Sequence, residues 1–221
     1  MTEPLEDPYA AQEQAMEAVP AAPEPDEQAE GEGEPEEPVT ESEPEPLPRG
    51  PEQHAAAELE IPEGYGVLEG APTGARRGVA VVIARFNGEI TTKLLASALE
   101  ELERTGVERS AITVVPVPGA FELPLAAMAF AKTRRYACVV ALGCVIRGET
   151  AHFDYVAGEA ASGLQLAALE TGVPVAFGVL TTDTVEQAEA RVDKGAEAVR
   201  TGLEMADLFA QLRTAAAAAG N

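Results

Sequence analysis

One segment of the chain places a histidine next to residue types that bind anions. Gly148-Glu149-Thr150 lies just before a stretch with helical periodicity that begins at His152. Backbone amides at a helix N-terminus form a natural phosphate cradle, and the Thr150 hydroxyl adds a donor. Imidazole is the side chain best suited to moving protons near neutral pH. The segment predicts phosphate binding beside proton transfer, while helix capping by Thr150 and a packed or surface histidine are the alternatives.

Aromatic and polar residues in two other segments could hold an organic substrate. Phe86 follows a predicted strand, and its ring could stack on a flat heterocycle, with core packing as the alternative. Asn87, Ala120 and Glu122 could bind hydroxyl groups through side-chain oxygens or backbone amides. Glu122 could instead serve only as a first-turn acid that interacts favourably with a helix dipole.

Two cations near the end of the chain could meet a phosphate. Arg191 and Lys194 lie close to the junction of the last two predicted helices, and either could pair with a phosphate from a neighbouring loop or subunit. A solvated charged face is the alternative. The chain has no GxGxxG motif after its first predicted strand and no GxxxxGK[ST] motif. Dinucleotide binding and NTP cleavage therefore lose their usual support.

Alternating strands and helices must position these residues. Continuous apolar runs rich in β-branched residues predict strands at residues 78–84, 111–117, 136–142 and 174–180. Helical spacing predicts helices at residues 90–104, 121–132, 152–171, 185–192 and 196–212. This order indicates an α/β domain with a four-stranded parallel sheet covered by helices on both sides, a three-layer α/β/α arrangement. Residues 59–68 could add a short arm or an edge strand.

The predicted sheet brings the candidate residues to one edge. Ligands of such sheets bind beyond the carboxyl ends of the strands. One segment follows each strand there, and together these segments mix glycine, polar and aromatic residues: 85–89, 118–122, 143–152 and 181–183. That composition is typical of a small-molecule pocket.

The charge of the chain divides it into two parts. Residues 1–60 hold 19 of the 38 acidic residues, one of the 15 basic residues and 11 of the 17 prolines, which is a net charge of −18. This composition predicts a disordered extension, either a solvated tail or an arm that docks on a basic partner. Residues 61–221 carry a net charge of −5 and are long enough for one sizeable core.

Composition also narrows the class of protein. No basic stripe is present for nucleic acid, no apolar run approaches the roughly 20 residues of a membrane helix, and no signal peptide is expected. Cys138 and Cys144 lie in one apolar run, where an extended chain separates them by roughly 20 Å, so no disulfide is expected. With only two histidines in the chain, a zinc site is not expected either. A reduced, cytoplasmic location fits best.

Taken together, the segments resemble a known family. The motifs are Arg85-Phe86-Asn87, then 118–124 (PGAFELP), 143–156 (GCVIRGETAHFDYV), 177–182 (FGVLTT), and Lys194-Gly195 with 203–205 (LEM). Four of them in order, each at a strand's carboxyl end, make residues 65–212 similar to lumazine synthase, an enzyme of riboflavin biosynthesis. The resemblance implies a flavodoxin-like fold and leaves residues 1–60 outside it.

The resemblance implies a reaction without metal or cofactor. The family joins 5-amino-6-(D-ribitylamino)uracil to 3,4-dihydroxy-2-butanone 4-phosphate and forms 6,7-dimethyl-8-ribityllumazine, phosphate and water. His152 would be the catalytic residue. The substrate-binding positions would be Phe86, Asn87, Gly119, Ala120, Phe121, Glu122, Val145, Ile146 and Phe177, and the phosphate-binding ones Gly148, Glu149, Thr150 and Arg191.

Within these sets the resemblance implies distinct roles. Phe86 would stack on the pyrimidine, to which Val145 and Ile146 would present backbone groups, and Asn87, Ala120 and Glu122 would bind the ribityl chain. Phe177 and Arg191 would act from an adjacent subunit, because family sites lie between subunits.

The resemblance therefore implies a homo-oligomer, a pentamer at least, with a 60-mer left open. Many relatives have a longer loop between the last two helices, whereas only residues 192–193 separate Arg191 from Lys194 here. A binding module for flavin or lumazine without turnover, and a shell scaffold that recruits basic cargo, are the alternatives to catalysis.

Overall fold

The computed structural model describes residues 59–219, which fold around a parallel sheet. Its strands are β1 (Val79–Ala84), β2 (Ile112–Val117), β3 (Cys138–Ile146) and β4 (Val175–Thr182). They lie in the order β2-β1-β3-β4, and all neighbouring pairs are parallel. The predicted four-stranded parallel sheet is thus confirmed. The predicted acidic extension lies outside the described residues except for Leu59 and Glu60.

The helices connect successive strands and also follow the last one. They are α1 (Gly88–Arg104), α2 (Leu123–Lys132), α3 (His152–Thr171), α4 (Val185–Glu189) and α5 (Lys194–Ala219). Short 3-10 turns, Arg109–Ala111 and Ala120–Glu122, precede β2 and α2. Residues 59–68 form no strand. Of the two alternatives predicted for this segment, a short arm or an edge strand, the edge strand was wrong.

Helices cover both faces of the sheet and give the predicted three layers. All six residues of β1 are buried, as expected of a strand covered on both sides. On one face, Leu94, Leu102 and Leu203 pack from α1 and α5 into one apolar core. On the other face, Leu123 and Leu164 pack from α2 and α3 into a second core. Burial of these apolar side chains supplies most of the driving force for folding.

Two helix contacts depend on glycine. A Cβ atom on Gly195, in the first turn of α5, would lie 2.2 Å from the Leu94 carbonyl oxygen of α1. A Cβ atom on Gly163 of α3 would lie 2.7 Å from the Pro124 side chain of α2. The helices of each outer layer therefore approach more closely than any larger residue at these positions permits.

The two cysteines are free and buried, as the sequence predicts. Burial raises the pKa of the Cys138 thiol to about 12 and that of the Cys144 thiol to about 11. Within residues 59–219, no helix combines the length and apolar character that crossing a membrane requires.

Candidate functional site

A cleft of about 600 Å³ opens where β1, β2 and β3 end. Eleven of the fourteen predicted site residues line it: Phe86, Asn87, Gly119, Ala120, Phe121, Glu122, Val145, Ile146, Gly148, Thr150 and His152. The carboxyl edge of the sheet thus brings together residues that are far apart in the chain, as expected for a parallel sheet.

The first wall of the cleft follows β1. Asn87 adopts a left-handed backbone conformation, with φ of 57°, which asparagine tolerates better than most residues. Its side-chain Nδ2 donates a hydrogen bond of 2.9 Å to the carbonyl oxygen of Cys144 in β3. This bond joins the loop after β1 to the end of β3. Phe86 precedes this turn with 70% of its side chain exposed, so its ring is open to a ligand.

The second wall follows β2. The Gly119 amide donates a hydrogen bond of 2.9 Å to the carboxylate oxygen Oε2 of Glu122. A Cβ atom on Gly119 would lie 3.2 Å from the same oxygen, so a larger residue would press on the carboxylate. Glu122 therefore shapes the loop before α2, and one of its carboxylate oxygens already has a partner in the protein.

The third wall joins β3 to α3. Val145 and Ile146 belong to β3, where they pair with Thr181 and Thr182 of β4. Gly148 and Thr150 follow them in an open loop.

His152 is the first residue of α3, at the positive end of the helix dipole. Its backbone amide lies 3.4 Å from the Thr150 hydroxyl oxygen. Ala151, and not Thr150, holds the N-cap position of α3. Gly148, Thr150 and His152 therefore line one wall of the cleft close to one another.

Three predicted site residues do not line the cleft. Glu149 is exposed beside it. Phe177 of β4 is 47% exposed and lines a separate cavity of about 290 Å³ with Lys194 and Thr201 of α5. Arg191 lies between α4 and α5, where its Nη1 donates to the Gln187 carbonyl oxygen at 2.9 Å.

Sequence reasoning missed several residues around the cleft. Cys144, Phe153, Tyr155 and Val156 also line it. The last three could have been found from helical spacing, because they fall within one turn or so of His152 and include its i+3 and i+4 neighbours.

Arg147 is a further missed residue, and it connects three segments at the carboxyl edge of the sheet. Its Nε donates to Asp183 Oδ1 at 3.0 Å, and its Nη1 lies 3.2 Å from Asp154 Oδ1. Its guanidinium carbon lies 4.1 Å from the centre of the Phe153 ring. The hydrogen bond to Asp183 is the main reason that the pKa of Arg147 is raised above its usual value.

The chain is similar to proteins of known activity. The model of the 6,7-dimethyl-8-ribityllumazine synthase family matches residues 77–210, which include every residue that lines the cleft. Proteins called 6,7-dimethyl-8-ribityllumazine synthase from Yersinia pestis (strain Pestoides F) and Yersinia pseudotuberculosis serotype O:1b (strain IP 31758) are each 52% identical to the chain over 153 residues. Each alignment covers 66% of this chain and 98% of the relative.

Proposed function

The chain belongs to the 6,7-dimethyl-8-ribityllumazine synthase family, and from this premise we propose that its cleft is where the family's reaction takes place. The enzyme is a transferase of riboflavin biosynthesis. It condenses 5-amino-6-(D-ribitylamino)uracil with 3,4-dihydroxy-2-butanone 4-phosphate to 6,7-dimethyl-8-ribityllumazine and releases phosphate and water. The observation that carries the site proposal is the convergence of eleven predicted residues on one cleft.

The proposed reaction begins when the pyrimidine substrate binds in the cleft, and it ends with closure of the second ring. The Phe86 ring stacks on the pyrimidine, backbone groups of Val145 and Ile146 bind its polar edge, and the ribityl hydroxyls meet Asn87, Ala120 and Glu122. The amino group of the pyrimidine condenses with the ketone to an imine and releases water, and phosphate is then eliminated. After proton shifts, the ribitylamino nitrogen attacks the carbonyl carbon formed in the four-carbon unit, and the ring closes with loss of a second water. Holding two reactants in register supplies much of the rate enhancement.

Proton transfer is assigned to His152. His152 is the first residue of α3 and belongs to the wall that also contains Gly148 and Thr150, so it lies near the proposed phosphate site. A neutral imidazole can take a proton from the substrate during elimination and return it during ring closure. The backbone amides of residues 148–150 and the helix dipole favour the phosphate dianion.

We place the completed site between two subunits. Phe177 and Arg191 do not line the cleft of their own chain, which supports their acting on the cleft of a neighbour. The proposed assembly is a pentamer, and a 60-mer remains an open alternative. We further propose a cytoplasmic enzyme whose acidic extension, residues 1–60, keeps it soluble or docks on a basic partner.

The first test is formation of the lumazine product by the purified full-length chain, followed by absorbance with both substrates. We expect a rate well above the uncatalysed condensation, a weaker rate for Arg191→Ala, and a slower but measurable rate for His152→Ala, since substrate positioning survives. An intact oligomer that forms no product above background would refute the function.

The second test addresses the shared site. His152→Ala and Arg191→Ala chains are co-expressed with different affinity tags, and the mixed oligomers are isolated. If each site draws on two chains, random mixing restores about a quarter of the sites to the wild-type set of residues. Mixed oligomers with only the average activity of the two variants would show that both residues act within one chain.

A further inference from the structure

Arg147 contacts the end of β4 and the first turn of α3, and the loop of the proposed phosphate site follows it directly in the chain. Its backbone amide donates to the Thr182 carbonyl oxygen at 2.9 Å, and its side chain binds the next residue, Asp183. The same guanidinium contacts Asp154 and the Phe153 ring in the first turn of α3. The loop 148–150 begins directly after Arg147, and α3 begins with His152.

We propose that Arg147 is a positioning residue of the phosphate site: its side chain joins the end of β4 to the first turn of α3 and so fixes the loop of residues 148–150, which connects β3 to α3. The inference rests on the proposed function of the cleft. An isolated surface ion pair contributes little, but this guanidinium contacts two carboxylates and an aromatic face at once. Its planar fork suits such simultaneous contacts, which the single ammonium group of lysine does not reproduce.

The guanidinium of Arg147 also changes the charge beside the loop of residues 148–150. Asp154 in the first turn of α3 interacts favourably with the helix dipole but repels a phosphate dianion. Arg147 partly offsets that repulsion, yet the cluster of one cation and two carboxylates keeps a net negative charge. Its contribution to phosphate binding is therefore to place the loop amides, and it is not the phosphate ligand itself.

Removing Asp183 separates positioning from charge. Asp183 does not line the cleft, and Asp183→Ala removes both the bond to Arg147 Nε and one negative charge near the loop. A pure charge effect strengthens phosphate binding, whereas loss of positioning weakens it. We expect Asp183→Ala, Arg147→Gln and Arg147→Lys all to raise the KM for the phosphorylated substrate, by about ten- to a hundredfold for Arg147→Gln. The KM for the pyrimidine should change little.

Arg109→Gln is the matched control. Arg109 makes a two-bond ion pair with Glu103, at 2.7 and 3.0 Å, and it precedes β2 at the opposite edge of the sheet. This variant loses the same charge and a similar ion pair. Because Arg109 does not line the cleft, the variant should keep the wild-type KM for both substrates.

Affinity for inorganic phosphate, measured by calorimetry on the same full-length oligomers, tests the loop independently of turnover. The proposal expects weaker phosphate binding by all three test variants. It is overturned if Arg147→Lys matches the wild type, if Asp183→Ala tightens phosphate binding, or if all three variants resemble Arg109→Gln. A wild-type chain that binds phosphate but forms no lumazine would contradict the proposed function alone, while the phosphate affinities would still decide the role of Arg147.

Discussion

Replacing Gly195 by alanine tests how closely α5 approaches α1. The added Cβ would lie 2.2 Å from the Leu94 carbonyl oxygen and 3.2 Å from the Ala98 amide nitrogen. Both neighbours are backbone atoms, so no side-chain rotation can relieve the clash. The start of α5 must move away from α1 by about 0.8 Å or more to bring the contact back to even 3.0 Å.

The expected cost follows from this overpacking. Forcing an extra methyl group into a packed contact destabilises proteins by about 1–3 kcal/mol. Alanine also favours helix by up to about 1 kcal/mol over glycine, but less in the first turn, so we expect a net loss of about 2 kcal/mol. For a domain of this size that corresponds to a fall of about 4–8 °C in Tm.

The assay is thermal unfolding by circular dichroism at a fixed protomer concentration, because subunit association shifts the apparent stability. Gly158→Ala is the matched control: Gly158 lies within α3, and a Cβ there would meet nothing within 4 Å. We expect this control to keep or raise the Tm, since alanine favours helix. A Gly195→Ala protein as stable as the Gly158→Ala protein would refute the close approach of the two helices.

Three further predictions concern stability and reactivity. The Asn87→Ala protein should be less stable to urea than the Asn87→Gly protein by about 1 kcal/mol. Both variants lose the hydrogen bond to Cys144, but only alanine strains the left-handed backbone at this position. Equal stabilities of the two variants would contradict this reasoning. The hydrogen bond from Arg77 is the main reason that the pKa of Asp207 falls from 3.8 to about 2, so its stabilisation is complete above about pH 5 and lost on acidification from about pH 4 to pH 2. The urea midpoint of Asp207→Asn should therefore lie below wild type at pH 7 and approach it near pH 2, and a constant gap would speak against the pair. Because burial raises the pKa of the Cys138 and Cys144 thiols, Ellman's reagent at pH 8 should modify the native protein slowly and both thiols once urea unfolds it; rapid native labelling would show that the thiols are accessible.

The strand and helix pattern was predictable because buried parallel strands and amphipathic helices leave strong local signals. Two of its errors lie at glycines that looked like breaks. The sequence predicts that β3 ends at residue 142, before Gly143, but the strand continues to Ile146 beside β4. A Cβ at Gly143 would lie 3.1 Å from the Leu123 side chain, so this glycine accommodates packing within a strand.

The last helices were mispredicted for the same reason. The sequence predicts a break at Lys194-Gly195, with helices at residues 185–192 and 196–212. Instead, α4 ends at Glu189, and α5 begins at Lys194 and extends to Ala219. Gly195 lies inside the helix because α1 leaves no space for a side chain there. Such a requirement comes from tertiary contact, and the local sequence does not reveal it.

The candidate site was predictable as far as topology determines it. Parallel strands end at one edge, so motifs that follow β1, β2 and β3 had to meet there. The segment after β4 was expected in the same pocket, but Thr181, Thr182 and Asp183 do not line the cleft. Asp183 instead reaches the site through Arg147, a partner 36 residues away in sequence. Local sequence does not show pairs of this kind, because they depend on how two loops meet in space.

The two outer layers of the domain have consequences for how the sequence can change over time. No residue of α1, α2 or α5 lines the cleft, whereas α3 and the 3-10 turn that precedes α2 supply cleft residues. Substitutions in the core of the α1 and α5 layer should therefore accumulate during evolution with little effect on the reaction in the cleft. A library randomised in the α1 and α5 layer offers a route to greater heat resistance, while diversity directed at α3 and the 3-10 turn before α2 would test new substrates.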